Sequence, residues 1–283
     1  MPDPRALLFQ PLGVPGSGRV RYGAAMALYR DGAISAEVLE VYRIASAHDA
    51  RDPLEGLRDR GLPLPAHPGQ EPLVKALYLA ARDYLLTLDH PGAAEVRAGL
   101  PADPGSEQAV TARTTAVVDR WLGPALQAMG DSQRPLAQAI GAAAGQLEWA
   151  PYSGYPPDEI GPQFPAGHAA ASIMGGAAPF AARDFDLGLF LIAPHVLYRD
   201  HNHAAPELYA PLTGPHGWRF GPGRPLILKP AHQPVWNPPH QPHLTKVGRV
   251  PFLCLFVWTK DVNLLAKVIP ADDWPGLEEM QLD

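Results

Sequence analysis

The chain has 283 residues, 46% of them apolar, enough to bury one large core or two modest ones without cross-links. Its single cysteine excludes a disulfide framework, and Cys254 lies in the apolar run PFLCLFVW, where a buried structural thiol is expected rather than a nucleophile. A net charge of −6 from 23 basic and 29 acidic residues, without any block of Lys or Arg, offers no track for phosphates, so no nucleic-acid partner is expected. The opening MPDPRALLFQPLG has no basic segment followed by a long apolar one. Nowhere do about eighteen apolar residues run together, so no membrane partner is expected and the protein is read as cytoplasmic.

In chain order, GRVRYGAAMALYRDG and SAEVLEVYRIASAHD read as two short helices, the second with Ser35 as its N-cap. From about 71 to 147 the sequence is rich in Ala and Leu at helical spacing. Val74, Leu77, Tyr78, Ala81, Leu85 and Leu88 make one stripe, and Val110, Thr114, Val117, Trp121 and Ala125 a second. Ser132 precedes a third helix, RPLAQAIGAAAGQ, whose proline falls in the first turn, where a missing N–H costs little. The stretch WAPYSGYPPDEIGPQFP, 149–165, cannot continue a helix. It marks an expected boundary between a helical N-terminal region, 1–150, and a C-terminal domain, 151–283.

Beyond that boundary short β-prone runs recur between Gly and Pro: FDLGLFLI, ELYAPL, GWRF, PLILKP, PVWN and PFLCLFVW. This is the grammar of a small all-β barrel or sandwich, which makes the whole chain α+β. Eight of the 11 histidines also lie beyond residue 150, so the chemistry is expected there.

The segment YRDHNHAAPELYAPLTG, 198–214, carries His201, His203, Glu207 and Tyr209 at odd positions, and in a continuous strand all four would project to one face. Imidazole nitrogens with a carboxylate suit first-row divalent metals and leave room for another ligand from elsewhere. Downstream, NPPHQPH supplies His240 and His243.

The spacing His201-x-His203-x3-Glu207-x6-Gly214 resembles the first cupin motif, and Pro238-Pro239-His240-Gln241-Pro242-His243 is similar to the second, with His240 where that motif has glycine. The resemblance implies a cupin β-barrel with one divalent transition metal held by His201, His203, Glu207 and His243, with His240 in reserve. His195 stands where the first motif opens with glycine. Tyr198, His201, His203, Glu207 and Tyr209 together resemble the dimethylsulfoniopropionate lyase family of cupins over roughly residues 180–260. That family has a helical region ahead of the barrel and a tyrosine two residues after the metal-binding glutamate, which corresponds to Tyr209. Arg199 departs from the family, which has proline there.

What the resemblance implies is a metal-dependent carbon–sulfur lyase acting on a small carboxylate, with Tyr209 and then Tyr198 as catalytic residues. A tyrosine has a reference pKa of about 10, yet a nearby divalent cation favours the phenolate, so Tyr209 could take an α-proton while a β-leaving group departs. Tyr209 reads equally as a wall of the pocket, and Tyr198 as a lid or core residue. A sulfonium needs aromatic faces, for which Trp149, Tyr152, Tyr155, Trp218, Trp236 and Trp258 are available. Trp258 shares a strand face with Cys254 and Phe256 and is expected in the core. The tyrosines of WAPYSGY suit a lid, and His168, His195, His216 and His232 are read as structural. The same ligands would serve a cupin acting on another small acid or on a sugar as isomerase or oxygenase, or a noncatalytic binding cupin. Zinc, iron, manganese, nickel and cobalt all suit such a site, and a homodimer is the oligomer expected.

Overall fold

The computed structural model describes residues 3–65, 72–108 and 110–282. Its contacts divide the chain into two compact units, Met1–Pro72 and Leu73–Asp283, not at residue 150 where the composition changes. The reason is a shared core: Val74, Leu77, Leu85, Leu122 and Ile140 from the helices after Leu73 are buried in one cluster with Leu187, Leu189 and Leu253 from the strands. Residue 71, where the helical stretch was expected to begin, lies outside the described residues.

In the first unit the two expected helices are Ser17–Arg30 and Ala36–Ala45. Ser35 caps the second, its hydroxyl accepting from the Val38 N–H at 3.3 Å. Ala25 and Leu28 on one helix and Val38, Val41 and Tyr42 on the other form the core. Arg21 is buried, and its guanidinium donates to the carbonyls of Gln10 (2.9 Å) and Asp49 (2.8 Å), which satisfies a charge that burial would otherwise make costly.

In the second unit helix Leu73–Leu85 buries Val74, Leu77, Tyr78, Ala81 and Leu85 as the spacing predicts, while Leu88 follows the helix end. Helix Ala116–Ala128 departs from expectation. Thr115 caps it, accepting from the Val118 N–H, so Val110 and Thr114 precede the helix and the buried face is Val118, Leu122 and Ala125. Helix Arg134–Ala143 has proline in its first turn, but Ser132 sits in the preceding 3-10 turn, Asp131–Gln133, and caps nothing.

The strands are β1 (His168–Gly175), β2 (Phe180–Ala181), β3 (Asp186–Ile192), β4 (Leu197–Asn202), β5 (Glu207–Pro211), β6 (His216–Arg219), β7 (Ile227–Lys229), β8 (Val235–Asn237), β9 (His243–Lys246), β10 (Phe252–Trp258) and β11 (Lys267–Val268). They form two sheets, ordered β2-β1-β3-β10-β5-β8 and β11-β4-β9-β6-β7. In place of the expected closed barrel, the strands form an open sandwich whose two sheets are hydrogen-bonded separately.

Parity sorts the larger sheet. Leu187, Leu189 and Leu191 of β3, Leu253, Leu255 and Val257 of β10, and Leu208 and Ala210 of β5 face the helices. Phe190, Ile192, Phe252, Cys254 and Tyr209 turn inward and pack with Tyr198 of β4 and Trp218 of β6 from the other sheet. A sheet covered on both faces explains why DLGLFLI and FLCLFVW read as nearly continuous apolar runs rather than as an alternation. Cys254 is buried as expected.

Candidate active site

The residues from 198 to 214 are not one strand. β4 ends at Asn202, a turn follows, and β5 begins at Glu207 in the other sheet. His201 and Glu207 therefore meet across the sandwich, and the common parity noted in the sequence does not by itself put them on one face. His243, at the start of β9, is the direct cross-strand partner of His201. The ring centroids of His201 and His243 are 4.0 Å apart, those of His203 and His243 5.2 Å. Ligand atoms of the three histidines lie within 4.8 Å of one another, and all three residues are buried. Glu207 joins through two of them, its Oε2 lying 3.1 Å from Nε2 of His203 and 3.2 Å from Nε2 of His243.

The backbone aims the rings. Nδ1 of His201 faces the Arg199 carbonyl at 2.8 Å, Nδ1 of His203 the Ala205 carbonyl at 2.8 Å, and Nδ1 of His243 the Gln241 carbonyl at 2.9 Å. Because a carbonyl only accepts, each Nδ1 carries the proton, and each Nε2 is left to point its lone pair inward. The Nε2 atoms of His201 and His243 are buried without a hydrogen-bond partner. Three convergent imidazole lone pairs beside a carboxylate, two of them orphaned, are a donor set that fits a divalent metal. His240 is exposed with φ of 59°, outside this group. His195 takes φ of 67°, the left-handed conformation that glycine adopts most easily, at the position where the resembled motif has glycine.

Glu207 is held by more than histidines. The Trp258 indole N–H donates to Oε1 at 2.7 Å and the Asn237 amide to Oε2 at 3.3 Å. Burial raises a carboxyl pKa, but His203 and His243 outweigh it and hold Glu207 well below the usual range. Burial likewise opposes the His203 imidazolium, and the Glu207 charge overrides it to raise that pKa. For His201 burial prevails, with His243 and His203 adding repulsion, and the ring is kept neutral. Trp258 is thus a site residue rather than the core residue expected, with its ring 4.6 Å from that of His203. On the far side of β4, Asp200 is buried and accepts from Arg219 Nε at 3.2 Å and the Trp274 indole N–H at 2.8 Å, which anchors the strand next to His201.

A cavity of about 490 Å³ opens onto Glu207. Tyr152, Tyr155, Phe190, Tyr198, Tyr209, Phe256 and Trp258 line it. Of the aromatics expected at a cation, Tyr152, Tyr155 and Trp258 are present. Trp149 is buried with its N–H on the Ala144 carbonyl, Trp218 packs behind Tyr209 at 5.5 Å, and Trp236 lies against His90. The hydroxyls of Tyr155 and Tyr198 are 2.7 Å apart, and the Tyr198 ring stacks on His201 at 3.9 Å. Burial, then the Glu207 charge, pushes the Tyr209 hydroxyl well above the ordinary phenol range. His168 is more than a core filler: its Nε2 accepts from the Tyr152 N–H at 2.7 Å and its Nδ1 donates to the Phe164 carbonyl, so it holds the tyrosine-bearing segment in place.

The sequence profile of the dimethylsulfoniopropionate (DMSP) lyases matches residues 94–254, more than half of the chain. The chain belongs to the DMSP lyase family. Two solved structures share its fold. One, from work on the DMSP lyases RdDddP and RnDddQII, is 22% identical with a TM-score of 0.56, and the match covers 70% of this chain and 98% of that one. The other, the DMSP lyase DddQ from Ruegeria pomeroyi DSS-3, is also 22% identical, with a TM-score of 0.52 and coverage of 70% and 96%. Curated proteins include no match.

Of the motif residues, the fold brings together His201, His203, Glu207 and His243, and leaves His240 apart. Asn237, Asp186, Phe190 and Phe256 carry no motif and escaped the sequence reading. Alternation along DLGLF and FLCLFVW was the signal available, since Asp186 and Phe190 share one face, as do Phe256 and Trp258.

Proposed function

We propose that the protein is a metal-dependent carbon–sulfur lyase that cleaves DMSP into dimethyl sulfide and acrylate. The reading rests on one observation: in a member of this family, Glu207, beside His203 and His243, lines an aromatic cavity that Tyr209 also lines. His201, His203, Glu207 and His243 would hold one divalent ion. When bound, it would supply Lewis-acid polarisation of the substrate carboxylate and favour the Tyr209 phenolate.

The remaining chemistry belongs to side chains. Tyr209 accepts the α-proton, the released electron pair forms the Cα–Cβ double bond, and the Cβ–S bond breaks with its pair leaving on sulfur. The ring of Tyr209 is fixed between Trp218, Phe252 and Phe190, with centroids at 5.5, 6.2 and 6.3 Å, so its hydroxyl needs no reorganisation to face the substrate. Tyr198, tied to Tyr155, stands on the His201 side as the second proton-carrying group. The aromatic walls exclude water and suit a cation that lacks hydrogen-bond donors.

The test is dimethyl sulfide release measured in the gas phase, with protein loaded in turn with zinc, iron, manganese, nickel and cobalt. Release faster than that of a Glu207→Ala control is expected with at least one metal. Release no faster than the control with every metal rejects DMSP as the substrate.

A further inference from the structure

The registry of the six-stranded sheet puts four inward-facing residues in one row. Asp186 of β3 is the cross-strand partner of Trp258 in β10, Trp258 of Glu207 in β5, and Glu207 of Asn237 in β8. Directly paired residues point to the same face, so Asp186 and Glu207 flank the Trp258 indole. With neighbouring strands about 4.8 Å apart, their columns are separated by about 10 Å. Asp186 lines the same cavity as Glu207.

The charges in this cavity are one-sided. Its described lining holds three carboxylates, Glu148, Asp186 and Glu207, and neither lysine nor arginine. Glu148 is paired with Arg113 at 3.5 Å, and Glu207 accepts from Trp258 and Asn237. Asp186 makes no ion pair among the described residues, and its Oδ1 is shielded from solvent without a hydrogen-bond partner. Burial pushes its pKa up to about 6 against the help of the Ser172 hydroxyl, which is the signature of a carboxylate missing a countercharge.

We propose that Asp186 is the specificity-determining residue that receives the positively charged, donor-free end of a zwitterionic substrate, across the Trp258 indole from Glu207. An onium group offers nothing to hydrogen-bond, so aromatic faces and an uncompensated negative charge are the two means of recognising it. Trp258 supplies the face, and its orientation is fixed by its bond to Glu207. The inference rests on the lyase reading only in placing the substrate's carboxylate end at the histidine–glutamate cluster. The separation of about 10 Å between the two columns leaves room for a short zwitterion together with its contacts at either end.

The test compares two ligands of one shape, 3-(trimethylammonio)propionate and 4,4-dimethylpentanoate, which differ in the charge of the terminal group. Their affinities for the metal-loaded protein are measured by calorimetry at pH 8. The wild type should favour the cationic ligand by about tenfold, and Asp186→Asn should reduce the preference to about twofold or less, as expected for one ion contact in a partly open cavity. Asp186→Glu, which keeps the charge, should still discriminate, and melting curves verify that both variants fold. Equal binding by the wild type, an unchanged preference in Asp186→Asn, loss of preference in Asp186→Glu, or failure of the cationic ligand to bind would each overturn the assignment. Because the readout is binding, a protein that discriminates by charge but releases no dimethyl sulfide rejects the lyase reading and keeps the role of Asp186.

Discussion

His168 links acid stability to the wall of the cavity. The ring is buried and stacked on Phe164 at 3.8 Å, accepts from the Tyr152 N–H and donates to the Phe164 carbonyl. Only the neutral ring can do both, since a protonated Nε2 cannot accept. Burial lowers its pKa from 6.5 to about 4, with the Phe164 carbonyl acting weakly the other way. Folded and unfolded chains are both neutral here at pH 8, so the residue contributes no pH dependence there. As the pH falls below 6.5 the unfolded chain takes the proton first, and stability declines until about pH 4, where the folded ring titrates as well. At 1.36 kcal/mol per pH unit the loss reaches about 2 kcal/mol at pH 5 and about 3 kcal/mol below pH 4. Urea denaturation of the wild type and of His168→Gln at pH 8 and pH 5 isolates this contribution, because the other titrating groups, including buried His216, are common to both. The wild type should lose about 2 kcal/mol more than the variant across that interval. Equal losses would refute the claim that the neutral ring holds the Tyr152 segment.

Further outcomes concern the metal and the base. His243→Ala and a His203→Ala/Glu207→Ala double variant should lose metal, measured by elemental analysis of protein purified without a histidine tag, while His240→Ala keeps it; the reverse pattern at 240 and 243 would show that the wrong histidine has been chosen. Tyr209→Phe removes one hydroxyl and should retain metal and fold while turnover falls by about 10²–10⁴, the range for a positioned general base. Unimpaired turnover would make Tyr209 a wall residue.

Much of this protein is local enough to be written in its sequence. A cap such as Ser35 acts within three residues, a helical stripe such as Val74 to Leu85 needs only its own periodicity, and the spacing from His201 to Glu207 reflects one tight turn between two strands. The choice of His243 over His240 was likewise contained in the proline spacing of NPPHQPH. Other features depend on partners far away in the chain. The stripe expected from Val110 gave way to a helix that begins only at Ala116, after the Thr115 cap, with Val118 and Leu122 buried in place of Val117 and Trp121. The break in composition near 150 did not divide the chain, because burying the outer face of the β3–β10–β5 sheet requires the helices that precede that break. Trp258 looked like core because alternation tells which residues share a face but not what lies opposite them. Only strand registry put it between Asp186 and Glu207, 72 and 51 residues away in the chain. Register is a long-range property, fixed by the pairing of whole strands, and it decided which carboxylates share a cavity with Trp258.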